Sequence, residues 1–196
     1  LKRDDQLLNG EYGAWRTVGN HTGQRYTEEK FCDILERKAQ LAESVKDSVC
    51  GQFQWILQSH DNPGRRQPDE GLRRIDKVGP FNHKGIFTTW EQPTDAFYMY
   101  KSRYTPASEE PMVYIVPNIN PDSIRVYSNC DSVALQCGWW KEQKTREANT
   151  TLYKWHNAEL KGDLLIATAY FNGQPAAADT LALPSFRTWN EQILKP

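Results

Sequence analysis

At 196 residues, with 38% hydrophobic and 12% aromatic content, the chain can furnish a real core for one large domain or two small ones. Its 24 Lys plus Arg nearly balance 25 Asp plus Glu, so no basic field points to nucleic acid and no acidic block to a solvated tail. No apolar run approaches the ~20 residues of a membrane span, and the opening Leu1-Lys2-Arg3-Asp4-Asp5 carries no signal-peptide pattern, which leaves either a cytosolic protein or a leader outside this sequence. Periplasmic and secreted locations therefore stay open beside the cytoplasm. Cys32, Cys50, Cys130 and Cys137 show no C-x-x-C spacing and the histidines are scattered singly, so neither a metal site nor a cofactor is expected.

In chain order, Leu7-Leu8-Asn9-Gly10-Glu11-Tyr12-Gly13-Ala14-Trp15 reads as a buried strand that ends on a carboxylate flanked by aromatics. A carboxylate held at a strand end, with Tyr12 and Trp15 beside it, suits a nucleophile or a general acid/base. The alternative is an exposed carboxylate at a strand-to-loop junction. A polar loop, Asn20 to Arg25, comes next. Thr27 then caps a helix whose first turn carries Glu28 and Glu29, favourable against the positive end of the helix dipole. Phe31, Ile34, Leu35, Leu41, Ala42, Val45 and Val49 recur at helical spacing, predicting about six turns. Gly51-Gln52-Phe53-Gln54-Trp55-Ile56-Leu57 reads as a second buried strand, and strand, helix, strand is the pattern of a parallel crossover.

Ser59 to Lys77 is a long polar segment carrying Arg65, Arg66, Arg73 and Arg74, which read first as a solvated face. Gly79 to Thr88 leads to Pro93, placed for the first turn of a helix bearing Phe97, Tyr98, Tyr100 and Tyr104. Composition shifts at Thr105-Pro106-Ala107-Ser108-Glu109-Glu110-Pro111, where a domain boundary is expected. Beyond it, short strands are predicted over Met112 to Val116, Ser123 to Ser128, Ser132 to Gln136, Thr151 to Trp155, Asp163 to Phe171 and Gln174 to Leu183. Asn172-Gly173 joins the last two as a two-residue hairpin. This spacing argues for an antiparallel, immunoglobulin-like sandwich, without the cysteine separation of an antibody-type disulfide.

Four stretches, Asn9-Gly10-Glu11-Tyr12-Gly13, Gly51-Gln52-Phe53-Gln54-Trp55, Asn82-His83-Lys84-Gly85-Ile86-Phe87-Thr88 and Val126-Tyr127-Ser128-Asn129-Cys130-Asp131, together resemble glycoside hydrolase family 2, the β-galactosidase and β-glucuronidase family. They stand in that family's order, over about residues 5 to 183. The resemblance implies an α/β plus all-β fold. Residues 1–106 would be the last two strands and helices of a catalytic (β/α)8 TIM barrel, 107–185 an immunoglobulin-like β-sandwich, and 186–196 a tail or linker.

Carried over by the same resemblance, Glu11 matches the nucleophile that forms a covalent glycosyl-enzyme intermediate. Trp55 matches the aromatic floor of the non-reducing sugar's subsite, against the alternative of a core tryptophan. Tyr12, directly after Glu11, resembles the tyrosine of the family's Glu-Tyr pair. Asn82 and Lys84 resemble the Asn-x-Lys pair with which β-glucuronidases hold a sugar carboxylate, against the alternative of two surface residues. A retaining glycosidase also needs a second carboxyl group ~5 Å from the nucleophile, and in this family it lies on an earlier barrel strand. The chain is therefore expected to be a C-terminal fragment, inactive alone, whose partners are a carbohydrate substrate and the N-terminal part of its barrel. A homo-oligomer is left open. The other class of reading is a non-catalytic carbohydrate-binding or interaction module, with Trp139, Trp140 and Trp155 as a stacking platform.

Overall fold

The structure, a computed structural model, describes residues 8–12, 27–61, 81–117 and 119–183, with Asp61, Phe81 and Asn82 described through their backbone alone. The Asn20 to Arg25 loop, the four arginines and the 186–196 tail fall outside these residues. The chain divides into two compact units between Phe97 and Tyr98.

In the first unit, β1 (Leu8–Tyr12) and β2 (Gly51–Gln54) pair in parallel, with α1 (Glu28–Ser44) between them in the chain. This is the crossover that the hydrophobic spacing predicts. Thr27 accepts the Lys30 amide at its hydroxyl, 3.2 Å away, and Glu28 and Glu29 occupy the first turn. The buried face runs through Glu28, Phe31, Cys32, Leu35 and Ala39. The helix stops at Ser44, earlier than expected, where the Val45 amide turns back to Ala42 O at 3.3 Å. Leu41 and Val45 keep the helical spacing but are exposed, so among the described residues little packs on that face past Ala39 to hold further turns.

The expectation of two buried strands is corrected. Leu8 is 58% exposed and Phe53 59% exposed, since a two-stranded pair leaves apolar side chains uncovered unless other elements pack on it. After β2, β3 (His60–Asp61) pairs antiparallel with β4 (Phe81–Asn82). α2 (Asp95–Tyr104) begins where the Asp95 amide donates to the buried Glu28 carboxylate at 2.6 Å, a charge-assisted bond at a helix start. Its buried residues Ala96, Met99 and Ser102 follow helical spacing.

The second unit holds two antiparallel sheets. One contains β5 (Val113–Ile115), β6 (Ile124–Ser128) and β9 (Leu152–Trp155) in the order β5-β6-β9. The other contains β7 (Ser132–Cys137), β8 (Trp140–Thr145), β10 (Leu164–Phe171) and β11 (Gln174–Ala182) in the order β11-β10-β7-β8. Both contribute to one core, with Ile124, Val126 and Trp155 from the first and Val133, Leu135 and Leu165 from the second fully buried. The Asn172-Gly173 hairpin forms as read, both residues at positive φ (51° and 76°), between Phe171 and its partner Gln174.

One strand was invisible to periodicity. β8 (Trp-Lys-Glu-Gln-Lys-Thr) is mostly polar because it is the sheet's outer strand, where charged side chains discourage pairing with another chain. At the opposite edge, Asp179 on β11 accepts the Ile115 amide of β5 at 2.7 Å, tying the two sheets together. The buried Asn129 takes the Met112 amide at 2.8 Å and donates to Thr105 O and Glu110 O at 3.0 and 2.9 Å, fastening the segment that precedes β5.

Candidate functional site

The carboxylate singled out in the sequence sits at the irregular end of β1. Leu8 pairs with Gly51 and Asn9 with Gln52, yet Tyr12 pairs with Gln54, so β1 spends one residue more than β2 and bulges across Gly10 and Glu11. A bulge turns a side chain away from strict alternation, and such features recur beside active sites. Asn9 braces this one. Its amide nitrogen donates to Gln52 Oε1 at 3.4 Å and its Oδ1 accepts the Glu11 amide at 3.4 Å. Glu11 itself is exposed, with Tyr12 half-buried beside it.

Pairing continues past the end of β2, where the Trp55 amide donates to Tyr12 O at 2.8 Å. Trp55 is 37% exposed, so part of the residue is accessible. The Trp55–Ile56 peptide is cis. From Ile56 onward the backbone is joined on its other side by the segment after β4. The Ile56 amide donates to Lys84 O at 3.4 Å, Ile86 N to Ile56 O at 3.1 Å, Phe87 N to Leu57 O at 2.9 Å and Ser59 N to Phe87 O at 2.9 Å.

Four of the sequence-predicted residues are thus brought onto neighbouring backbone segments: Glu11 and Tyr12 beside Trp55, and Trp55-Ile56 beside Lys84. Asn82 enters through its backbone, opposite His60 in the β3–β4 pair. The Lys84 segment is anchored further by Thr94, whose hydroxyl and amide both donate to Ile86 O, at 2.8 and 3.0 Å. Sequence reasoning missed Ser59, whose Oγ accepts the Gly85 amide at 3.0 Å, and Thr94. The glycine directly after Lys84 was the one available signal, since glycine marks close backbone approach.

The three tryptophans of the alternative platform do not form one. Trp155 is fully buried in the sandwich core, Trp140 packs partly against that core, and Trp139 is 68% exposed with the Lys161 ammonium 5.2 Å from its ring centroid. All four cysteines are free thiols, and burial pushes Cys130 up from the ordinary thiol range, which suits a packing role rather than a nucleophile. Among the described residues, no cluster of three or more His, Cys, Asp or Glu could hold a metal ion, and no helix is long and apolar enough to cross a membrane.

No protein-family model matches the chain. It is 29% identical over 163 residues to a protein named "Putative beta-glucuronidase" from Formosa agariphila, across 68% of this chain and 19% of that protein. The chain thus spans about a fifth of the length of the curated relative it matches. Among solved structures it is similar to Bacteroides uniformis β-glucuronidase 2 covalently bound to cyclophellitol-6-carboxylate aziridine, with a TM-score of 0.67 and 16% identity over 90% of this chain and 22% of that one. A β-glucuronidase from glycoside hydrolase family 2 aligns with a TM-score of 0.63 and 18% identity, over 89% of this chain and 20% of that one. At such identities the structures speak to the fold. With the curated relative, they bear out the resemblance to glycoside hydrolase family 2.

Proposed function

We propose that this family 2-like segment supplies the nucleophile and sugar-binding part of a retaining exo-β-glycosidase, acting on β-glucuronides, β-galactosides or related sugars. Glu11 attacks the anomeric carbon and the glycosidic C–O bond breaks, giving a covalent glycosyl-enzyme. A second carboxyl group, ~5 Å from the nucleophile and contributed by an earlier barrel strand of the parent protein, protonates the leaving oxygen and then deprotonates the water that releases the sugar. Trp55 offers its ring face to the apolar C–H face of the sugar, and Tyr12 flanks the nucleophile. Lys84 and Asn82 receive a C6 carboxylate, an ammonium for charge and an amide for orientation. Residues 1–106 belong to the end of a (β/α)8 barrel, 107–185 to an immunoglobulin-like sandwich and 186–196 to a tail.

One observation supports this reading most: the backbone hydrogen bonds from Trp55 N to Tyr12 O and from Ile56 N to Lys84 O, which put Glu11-Tyr12, Trp55 and Lys84 on adjacent segments. Support also comes from the parallel strand, helix, strand unit and from the solved relative covalently bound to a ring carrying a 6-carboxylate. The module reading is weaker, because its platform needs Trp155 at the surface and that ring is in the core.

The test is hydrolysis of p-nitrophenyl β-glycosides by the full-length protein, with mechanism-based labelling by a fluorinated glycoside. Label on Glu11, and a loss of about ten-thousand-fold or more in Glu11→Ala, are the expected results. Full activity in Glu11→Ala would sink the proposal. The 196-residue chain alone is expected to be silent, and to regain turnover when mixed with a separately expressed N-terminal portion of its parent.

A further inference from the structure

The peptide joining Lys84 to Gly85 is held from both sides by one neighbouring segment. Its carbonyl, Lys84 O, accepts the Ile56 amide at 3.4 Å, and its amide, Gly85 N, donates to Ser59 Oγ at 3.0 Å. Both partners belong to the stretch that follows Trp55. Ser59 is 5% exposed, so its hydroxyl and the Gly85 amide satisfy one another away from water. Its own amide is spent on Phe87 O at 2.9 Å. The approach is closer than any residue with a side chain permits: a Cβ on Gly85 would collide with Ser59 N, Phe87 O and Gln58 C, all backbone atoms that cannot swing aside.

We infer that Ser59 is a positioning residue for substrate selection, which together with the missing side chain at Gly85 fixes the backbone bearing Lys84 against the strand end bearing Trp55, and so sets the preference for carboxylated over neutral sugars. The inference rests on the proposed role of Lys84. Ser59 acts through the backbone and does not touch substrate. A lysine ammonium rides on a flexible four-carbon stem, so its reach toward one carboxylate depends on where its Cα is held. Release of the pinned peptide lets that origin drift. Attraction to an anionic C6 group then weakens, while a neutral sugar, which makes no demand on the ammonium, is handled as before.

The experiment compares kcat/KM for p-nitrophenyl β-glucuronide and p-nitrophenyl β-galactoside in the full-length protein and its Ser59→Ala, Lys84→Ala and doubly substituted forms. Ser59→Ala is expected to lower the glucuronide-to-galactoside ratio about tenfold, mostly through KM for the glucuronide, with galactoside turnover retained as the internal check on folding. In the Lys84→Ala background the same change is expected to leave the ratio where it was, because the two residues act as a unit. Ser59→Cys, which keeps the side-chain size and weakens the bond from the Gly85 amide, is expected to lower the ratio as well, and decides the matter should Ser59→Ala be recovered only unfolded. Equal losses on both substrates, an unchanged ratio, or full additivity with Lys84→Ala would overturn the inference while leaving the glycosidase reading intact. A wild-type protein that hydrolyses neither sugar and takes no label at Glu11 would overturn both.

Discussion

The sandwich and the parallel strand pair bury their apolar residues to opposite degrees. In the sandwich Ile124, Val126, Val133, Leu135, Trp155 and Leu165 are fully buried, because two sheets close on one another and each supplies the other's apolar partner. On the strand pair and the segment that follows it, Leu8, Phe53 and Leu57 are 58%, 59% and 64% exposed. The first region covers its core strands; the second presents apolar side chains close to the candidate nucleophile and to Trp55. A two-stranded pair leaves apolar side chains uncovered, whereas two sheets that share one core cover each other's.

The largest expected effect is in the sandwich. Trp155→Ala empties the centre of the core and should cost about 3–5 kcal/mol, read as a fall in the denaturant midpoint followed by far-UV circular dichroism. An unchanged midpoint would mean that the core is not where the stability lies. Asn129→Ala removes four hydrogen bonds at one buried amide, one of them from the Cys130 thiol, and leaves the Met112 amide without its partner, a loss of about 1–3 kcal/mol.

A smaller, pH-dependent effect belongs to Tyr153. Its hydroxyl donates to Cys130 O at 2.7 Å, and burial holds it well above the ordinary tyrosine range. The folded state therefore favours the neutral phenol. This contribution is complete below the unfolded value of about 10 and is lost as pH rises toward the folded one, at up to about 1.4 kcal/mol per pH unit. Tyr153→Phe should lose about 1 kcal/mol near neutrality and remove that alkaline slope, measured by denaturation at a series of pH values. The smallest effect is the sharpest contrast. Phe53→Ser in this chain alone should change stability by no more than about 0.5 kcal/mol, yet weaken reassembly with the N-terminal portion of the parent in a mixing assay. Amide exchange offers a direct comparison of the regions, with β6, β7 and β10 protected longest and the β1–β2 ladder exchanging early.

What was legible in the sequence was whatever is encoded locally. Thr27 with Glu28 and Glu29 announces a helix start because the cap and the charges act within one turn. Asn172-Gly173 announces a hairpin because few other residue pairs take two positive φ angles in succession. The helix end was overread at Val45 and Val49, since apolar spacing persists in the sequence past the last turn that the helix keeps. β8 was missed for the converse reason: an edge strand is identified by what it pairs with, and its own Lys141, Glu142 and Lys144 look like loop. At the site, Glu11, Trp55 and Lys84 could be nominated from their motifs. Their adjacency could not, since it rests on bonds between residues such as Ser59 and Gly85, 26 positions apart.

The sequence by itself determined the elements that local chemistry controls, namely the capped helix, the tight hairpin, the alternating core strands and the candidate residues at strand ends. Tertiary structure alone decided burial and neighbourhood: that Trp155 fills a core while Trp139 faces solvent, that Phe53 stands exposed, and that the Lys84 backbone is pinned beside Trp55. The physical reason is range. Capping, turn conformation and periodicity act over a few residues, whereas exclusion of water and close backbone contact depend on partners that the chain brings back from far along its length.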